Sequence, residues 1–219
     1  MATRLDRKLV TDTALRLLND VGLEGLTLRR IAKELGVQAP ALYWHFKNKQ
    51  ELLDEMATEL YRRMNEPVLA AGGGFGGDWK GMLTTACLGM RRTLLRYRDG
   101  GKVFGGTRMR DWAPMQPMET YLASLTEAGF TPDRAARAWF TTYAYTIGYV
   151  IEEQSVFPVP GDPERDPAYD QEDRVRRLGA DYPLTAGAGA EMFGDTARGF
   201  EDGLRVVIAG IEAVLLHDR

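Results

Sequence analysis

The stretch Gly25 to Leu52, GLTLRRIAKELGVQAPALYWHFKNKQEL, restricts the fold more than any other part of the chain. Leu28, Ile31, Leu35, Val37 and Leu42 recur at helical spacing on either side of Gly36, so two short amphipathic helices must meet across a tight turn. Thr27 is placed to cap the first of them, which runs through Leu35, and the second spans about Ala39 to Phe46. Ala32 is small where the two approach. Pro40, Tyr43, Trp44, His45 and Lys49 cannot all be buried by so short a helix, and they project outward. This is the layout of a helix-turn-helix, whose second helix enters the major groove of duplex DNA. Tyr43, His45 and Lys49 can donate to phosphate oxygens while the rings pack on sugar and thymine methyl groups. Arg29 and Gln38 stand where they can reach base edges, and the helix that starts at Lys49 offers backbone N–H groups as a phosphate clamp.

Charge supports a split between this head and the rest. Residues 1–50 carry nine Lys and Arg against five Asp and Glu, a net of +4, which leaves −7 for the remainder of a chain whose total is −3. A basic head on an acidic body turns its head towards phosphate, although ordinary scatter of surface charge gives a similar imbalance. No apolar run approaches the ~20 residues of a membrane helix, and Met1 to Val10 lacks the core of a secretory signal, so a cytoplasmic protein is expected. The single Cys87 sits at an apolar-patterned position and reads as buried filler.

The rest reads as helices. Leu9, Ala14, Leu17, Leu18 and Val21 make one face of a first helix that Gly22 stops. Asn48 can cap a helix from Lys49 through Met64. Glycines 72, 73, 74, 76 and 77 predict a hinge or loop between head and body. Further helices are expected over 79–97, 114–128 and 132–154, the last begun by Thr131-Pro132. Residues 157–167 read as a proline-rich loop, and Ala186 to Ala190 as a glycine-alanine stretch ahead of the final helix. No strand pair is visible. The class is all-α, divided as a helix-turn-helix head (1–48), a connecting helix (49–66) and a helical body (67–219).

In the final helix Phe193, Ala197, Phe200, Leu204, Val207, Ile211 and Val214 alternate at spacings of four and three. Such a 3.5-residue repeat is a helix–helix seam, facing either the chain's own core or a second subunit. The subunit contact is the expectation here, because two-fold proteins match two-fold DNA sites.

The segment APALYWHFKNK (39–49), followed by Glu51-Leu52-Leu53 and preceded by GLEGLTLRRIAKELGV, resembles the DNA-binding head of the tetracycline repressor (TetR) family of transcription factors. LLRYRDGGKV (94–103), Gly106-Thr107-Arg108, Glu127 to Phe130 and Ile147 to Gln154 extend the resemblance, within that family, to the tetracycline repressors themselves. It implies a homodimeric repressor of a near-palindromic DNA operator, released by a small molecule bound in the body, with the helices near 132–154 and at the C-terminus forming the intersubunit bundle. It also implies DNA contacts by Thr27, Arg29, Pro40, Tyr43, Trp44, His45 and Lys49. Gln38, with Ala39 and Ala41 at the family's base-reading positions, implies a different operator.

The effector side departs from the family. A magnesium-binding histidine is replaced by Phe104, a drug-gripping histidine by Asn65, and its asparagine partner by Ala86. Glu152 stands at a carboxylate position but alone is no hard-cation site. No metal or cofactor is therefore expected, and the magnesium chelate of tetracycline is not the expected effector. Met90, Phe104, Met115, Met118, Tyr121, Trp139 and Tyr143 are candidate walls of an apolar pocket, with Asn65, Thr107, Arg108 and Glu152 as polar handles. Ordinary core is the alternative for each wall. A regulator without an effector, or a helical carrier or enzyme with an incidental helix-turn-helix, would share much of this pattern. No convergent set of catalytic groups accompanies it.

Overall fold

A computed structural model describes residues 5–70, 78–108 and 115–216. The glycine-rich segment expected to act as a hinge lies outside the described residues. Helix α1 (Arg7–Gly25) is capped by the Asp6 carboxylate, which accepts from the Leu9 N–H at 2.8 Å. Its regular part ends at Gly22, which takes φ +66°. A Cβ there would stand 3.2 Å from both Arg98 Nε and Asp99 Oδ2, so this turn needs glycine for conformation and for space.

Helix α2 (Leu28–Glu34) begins as the sequence predicts, with Thr27 Oγ1 accepting from the Arg30 N–H at 3.2 Å. It ends in a paired-carbonyl stop. The Val37 N–H donates to Ala32 O at 3.0 Å and the Gly36 N–H to Lys33 O at 3.2 Å, with Gly36 at φ +67°. Helix α3 (Ala39–Tyr43) follows and is shorter than expected, the chain turning on through Phe46. Helix α4 (Lys49–Ala70) is longer than expected, running for 22 residues or ~33 Å.

The body comprises α5 (Trp79–Leu94), the short α6 (Gly100–Phe104), α7 (Gln116–Glu127), α8 (Pro132–Val156), α9 (Gln171–Leu178), α10 (Pro183–Phe193) and α11 (Thr196–Ile211), which widens into a last turn over Glu212–Leu216. Every described element is helical or irregular, in agreement with the all-α reading. No described helix is long and apolar enough to cross a membrane.

Three elements depart from expectation. α6 is extra. α9 forms almost without burial, through local charge: Asp170 caps the Asp173 N–H at 2.7 Å, and Arg177 pairs with Asp173 at 2.6 Å. The glycine-alanine stretch 186–190 does not break the chain but lies inside α10. Its small residues let α9 approach closely, since a Cβ on Gly189 would fall 2.5 Å from the Arg174 side chain.

Two apolar clusters fill the protein. One runs without interruption from Val10, Leu18, Ile31, Leu42 and Phe46 in the head, through Leu52, Met56 and Leu60 of α4, to Met90, Phe104 and Val150 in the body. The other joins α5, α7, α8 and α11 through Trp79, Leu83, Tyr121, Trp139, Phe200 and Leu204.

Candidate functional site

The head displays the reading helix as a bare aromatic and polar surface. Trp44 is 91 % exposed and Tyr43 50 %, and Arg29, Arg30, Gln38, Pro40 and Lys47 are also exposed. An indole left almost wholly in water makes no contribution to the core, so its place is explained by what it meets outside the chain. Ala39, Ala41 and His45 are half-buried beside it. Lys49 is partly committed: its Nζ donates to the Leu23 carbonyl at 2.6 Å, leaving two of its three hydrogens for a phosphate.

Arg7, which the sequence reading passed over, sets the angle of this surface. Its guanidinium pairs with Glu55 at 2.7 Å, also bonds Glu51 and the His45 carbonyl, and lies 4.3 Å from the centre of the Phe46 ring. One side chain thus fixes the corner between α3 and α4 to α1.

The head is clamped to the turn that joins α5 to α6. Asn19 Nδ2 donates to Arg96 O at 3.2 Å, and Asn19 Oδ1 accepts from the Arg98 N–H at 2.9 Å. Asp99 Oδ2 accepts from the Leu23 N–H at 2.9 Å. Arg63 on α4 bonds Asp12 of α1 and the Tyr97 hydroxyl, the latter at 2.6 Å. From the body side, Gln154 of α8 donates to Tyr97 O at 2.7 Å and accepts from the Gly101 N–H at 3.0 Å.

Phe104, at the end of α6, begins an aromatic centre enclosed by α4, α6, α7 and α8. Its ring lies 6.1 Å from Tyr143, and Tyr121 stacks on Trp139 at 4.3 Å. Asn65 joins them: its Oδ1 accepts from the Tyr121 hydroxyl at 3.0 Å and its Nδ2 donates to Tyr61 O at 2.8 Å. Met90 is buried in the Phe104 cluster with Met115 against it, and Met118 packs with Tyr121. Met90, Phe104, Met115 and Tyr143 thus belong to one apolar cluster and Met118, Tyr121 and Trp139 to the other, with Asn65 of α4 bonded to Tyr121.

Three polar candidates are not placed as expected. Thr107 Oγ1 is bound to Phe104 O at 2.8 Å. Arg108 is exposed, and its backbone N–H rather than its guanidinium points inward, to Asp54 at 3.3 Å. Glu152 is exposed and lines a separate cavity of about 490 Å³ between α8, α10 and α11, with Tyr149, Met192 and Phe193. Its neighbour Glu153 is the buried carboxylate. It takes Arg91 Nε at 2.8 Å and the Thr196 hydroxyl at 2.7 Å, tying α5, α8 and α11 together.

The last helix also corrects the expectation. Phe200, Leu204 and Ile211, with Ile208, are buried in the chain's own core, and Val207 packs against it. Phe193 belongs to α10, where its ring meets Tyr169 at 5.1 Å, because Asp195 starts a new helix by capping the Arg198 N–H at 3.0 Å. The middle of the seam therefore faces inward. Its members Ala197 and Val214 stay exposed, together with Val206 near the end of the chain and Ala136, Phe140, Ala144 and Gly148 on α8.

Burial raises the pKa of a group of tyrosines. Tyr61, also missed by the sequence reading although it lies one turn before Asn65, is pushed up to about 12, and Tyr145 likewise. Tyr121, Tyr143 and Tyr149 are raised for the same reason. A raised folded-state value means that the unfolded chain loses its phenol protons first. Stability is then complete below pH 10 and falls as pH climbs towards 12. Melting temperatures across pH 9 to 12, read beside tyrosinate absorbance, are expected to drop as the first tyrosinates appear. Cys87 is buried, with its thiol pushed up by desolvation, as suits filler.

Comparison with known proteins agrees with this geometry. Residues 10–56 match the family of bacterial regulatory proteins of the tetR family, and residues 75–215 match the tetracyclin repressor-like C-terminal domain. The class C tetracycline repressor of Escherichia coli is 38 % identical over 216 residues, 97 % of this chain and 93 % of that protein. A possible TetR family transcriptional regulator from Streptomyces coelicolor A3(2) superposes with a TM-score of 0.80 at 35 % identity, over 95 % of this chain and all of the other. TetR of Acinetobacter baumannii AYE, as a variant in complex with minocycline, gives a TM-score of 0.74 at 32 % identity over 98 % of this chain and 97 % of that one. With the exposed reading helix at one end and the helical body at the other, the chain belongs to the tetracycline repressor family of ligand-responsive, DNA-binding transcriptional repressors.

Proposed function

We propose that the protein works as a homodimer on a near-palindromic operator and lets go when a flat lipophilic or aromatic molecule enters the centre around Phe104, Tyr121, Trp139 and Tyr143. The observation that carries this reading is the shared turn. The residues between α5 and α6 that hold Asn19 and Leu23 of the head continue directly into the helix that ends at Phe104. A ligand that shifts α6 therefore acts on the seat of α1, and a coupling of ~1–3 kcal/mol, about 5–150-fold in operator affinity, is enough for a switch.

Dimerisation is supported by the open stripe of small and apolar residues on α8 and near the end of α11. Two heads so joined would occupy successive major grooves about 34–36 Å apart. The changed reading surface at Gln38, Ala39 and Ala41 favours an operator of the protein's own. The tetracycline–magnesium chelate is disfavoured as effector because the buried Phe104 offers a hydrocarbon face where a metal needs a lone pair.

The test is a salt-dependent gel shift on duplex DNA from the protein's own locus, repeated over a panel of aromatic compounds with tetracycline and magnesium included. Release by an uncharged aromatic compound is the expected result. Release by tetracycline only when magnesium is present would overturn the effector assignment, and the absence of any specific shift would overturn the operator reading. In the same assay Asn19→Ala is expected to bring the ratio of operator affinities without and with effector towards one, because it cuts two of the bonds that seat the head on the turn.

A further inference from the structure

Tyr61 bears on what the effector must carry. The residue is 6 % exposed, and its phenolic oxygen meets no partner at hydrogen-bonding geometry. Among the described residues it is the one buried side-chain nitrogen or oxygen so placed. Such a group costs a fold ~1–3 kcal/mol, and phenylalanine would fill the same space without it.

Its surroundings narrow what would satisfy it. Tyr61 lies in the cluster of Met90 and Phe104, with Met115 and Tyr143 packed on that cluster. The Met118 backbone N–H is directed at its oxygen. Met118 sits in the first turn of the 12-residue α7. The nearby Tyr121 hydroxyl already donates to Asn65. The neighbourhood is thus rich in donors, and the Tyr61 O–H lacks an acceptor.

We propose that Tyr61 is the polar anchor of the effector site, donating its hydroxyl hydrogen to a carbonyl oxygen on a planar, polycyclic, uncharged ligand. This rests on the reading of the aromatic centre as the effector site. The oxygen belongs to a neutral carbonyl and not to a carboxylate, because Arg108, the cation expected at the site, turns its side chain to solvent and a buried carboxylate would stand unpaired.

Acridone, a flat fluorescent tricycle with one carbonyl, tests the idea against anthracene, which has the same shape and no acceptor, and anthracene-9-carboxylate, which is anionic. Each is titrated into the full-length dimer and into Tyr61→Phe, with fluorescence anisotropy as readout. The expected result is a roughly tenfold weaker acridone complex in Y61F, unchanged anthracene binding, and a ligand-free melting temperature equal to or above that of the parent. An acridone affinity indifferent to Y61F, or an equal loss for acridone and anthracene, would overturn the anchor while leaving the aromatic site standing. Tighter binding of the carboxylate than of acridone would overturn the neutral carbonyl. If none of the three binds the parent protein, the effector site falls and the anchor with it.

Discussion

The double variant Y43A/W44A is expected to lose operator affinity by roughly 100-fold or more at fixed salt, with a melting temperature close to that of the parent. Both side chains stand in solvent, so truncating them removes little from the core. In a dimer each substitution is felt at two half-sites, which multiplies the loss. Fluorescence anisotropy with a labelled operator duplex measures the affinity, and a thermal melt of the same preparation controls for folding. Unchanged affinity would mean that α3 is not the reading helix. A large fall in melting temperature would mean that the rings pack in a way the free chain does not show. Lys49 is the less clean target, because its ammonium also holds the end of α1 through Leu23 O.

The largest effect on stability is expected at Glu153. Its carboxylate and the Arg91 guanidinium are both largely withdrawn from water and bonded at 2.8 Å, with the Thr196 hydroxyl as a third member at 2.7 Å. Glu153→Ala leaves a shielded cation without its counter-charge. Such a break costs about 3–5 kcal/mol, which for a chain of this size lowers the melting temperature by roughly 6–20 °C. Glu152→Ala, one residue earlier and exposed, is expected to shift it by no more than about 2 °C. Replacing both charged partners, as in R91M/E153L, should recover much of the loss, since no unpaired charge then remains. Similar melting temperatures for E153A and E152A would show that the knot between α5, α8 and α11 does not support the body.

The head was legible because its determinants are local. Thr27 caps within three residues, Gly36 turns the chain within one, and the apolar spacing around them admits only one arrangement. The body was legible as helices but not as contacts. A heptad pattern in the last helix says which face is apolar and is silent on what covers it. Phe200 and Leu204 turned out to be covered by Tyr145, Tyr149 and the second cluster of the same chain. Glu152 and Glu153 differ by about 100° around one helix, and only Arg91, 62 residues away, decides which is buried. The stretch 186–190 shows in sequence only as small residues ahead of the last helix, and its place inside α10 depends on the close approach of α9. Tyr61 gave no signal, because an unsatisfied hydroxyl is a property of its neighbours and not of its own segment. The resemblance to the family points to Phe104, Arg108 and Glu152 together, whereas in the fold Phe104 is buried and Arg108 and Glu152 are exposed.

The apolar cluster that passes from Val10 to Val150 has a practical meaning for dissecting the protein. A fragment cut before α4 would lose Leu52, Met56 and Leu60, and with them the surface that seats Leu18, Leu42 and Phe46. The smallest transplantable DNA reader is therefore the head together with the first three turns of α4. A hybrid regulator built by exchanging residues 1–48 alone would graft one lining onto another's garment. The junction that respects the packing falls within the second half of α4, beyond Leu60.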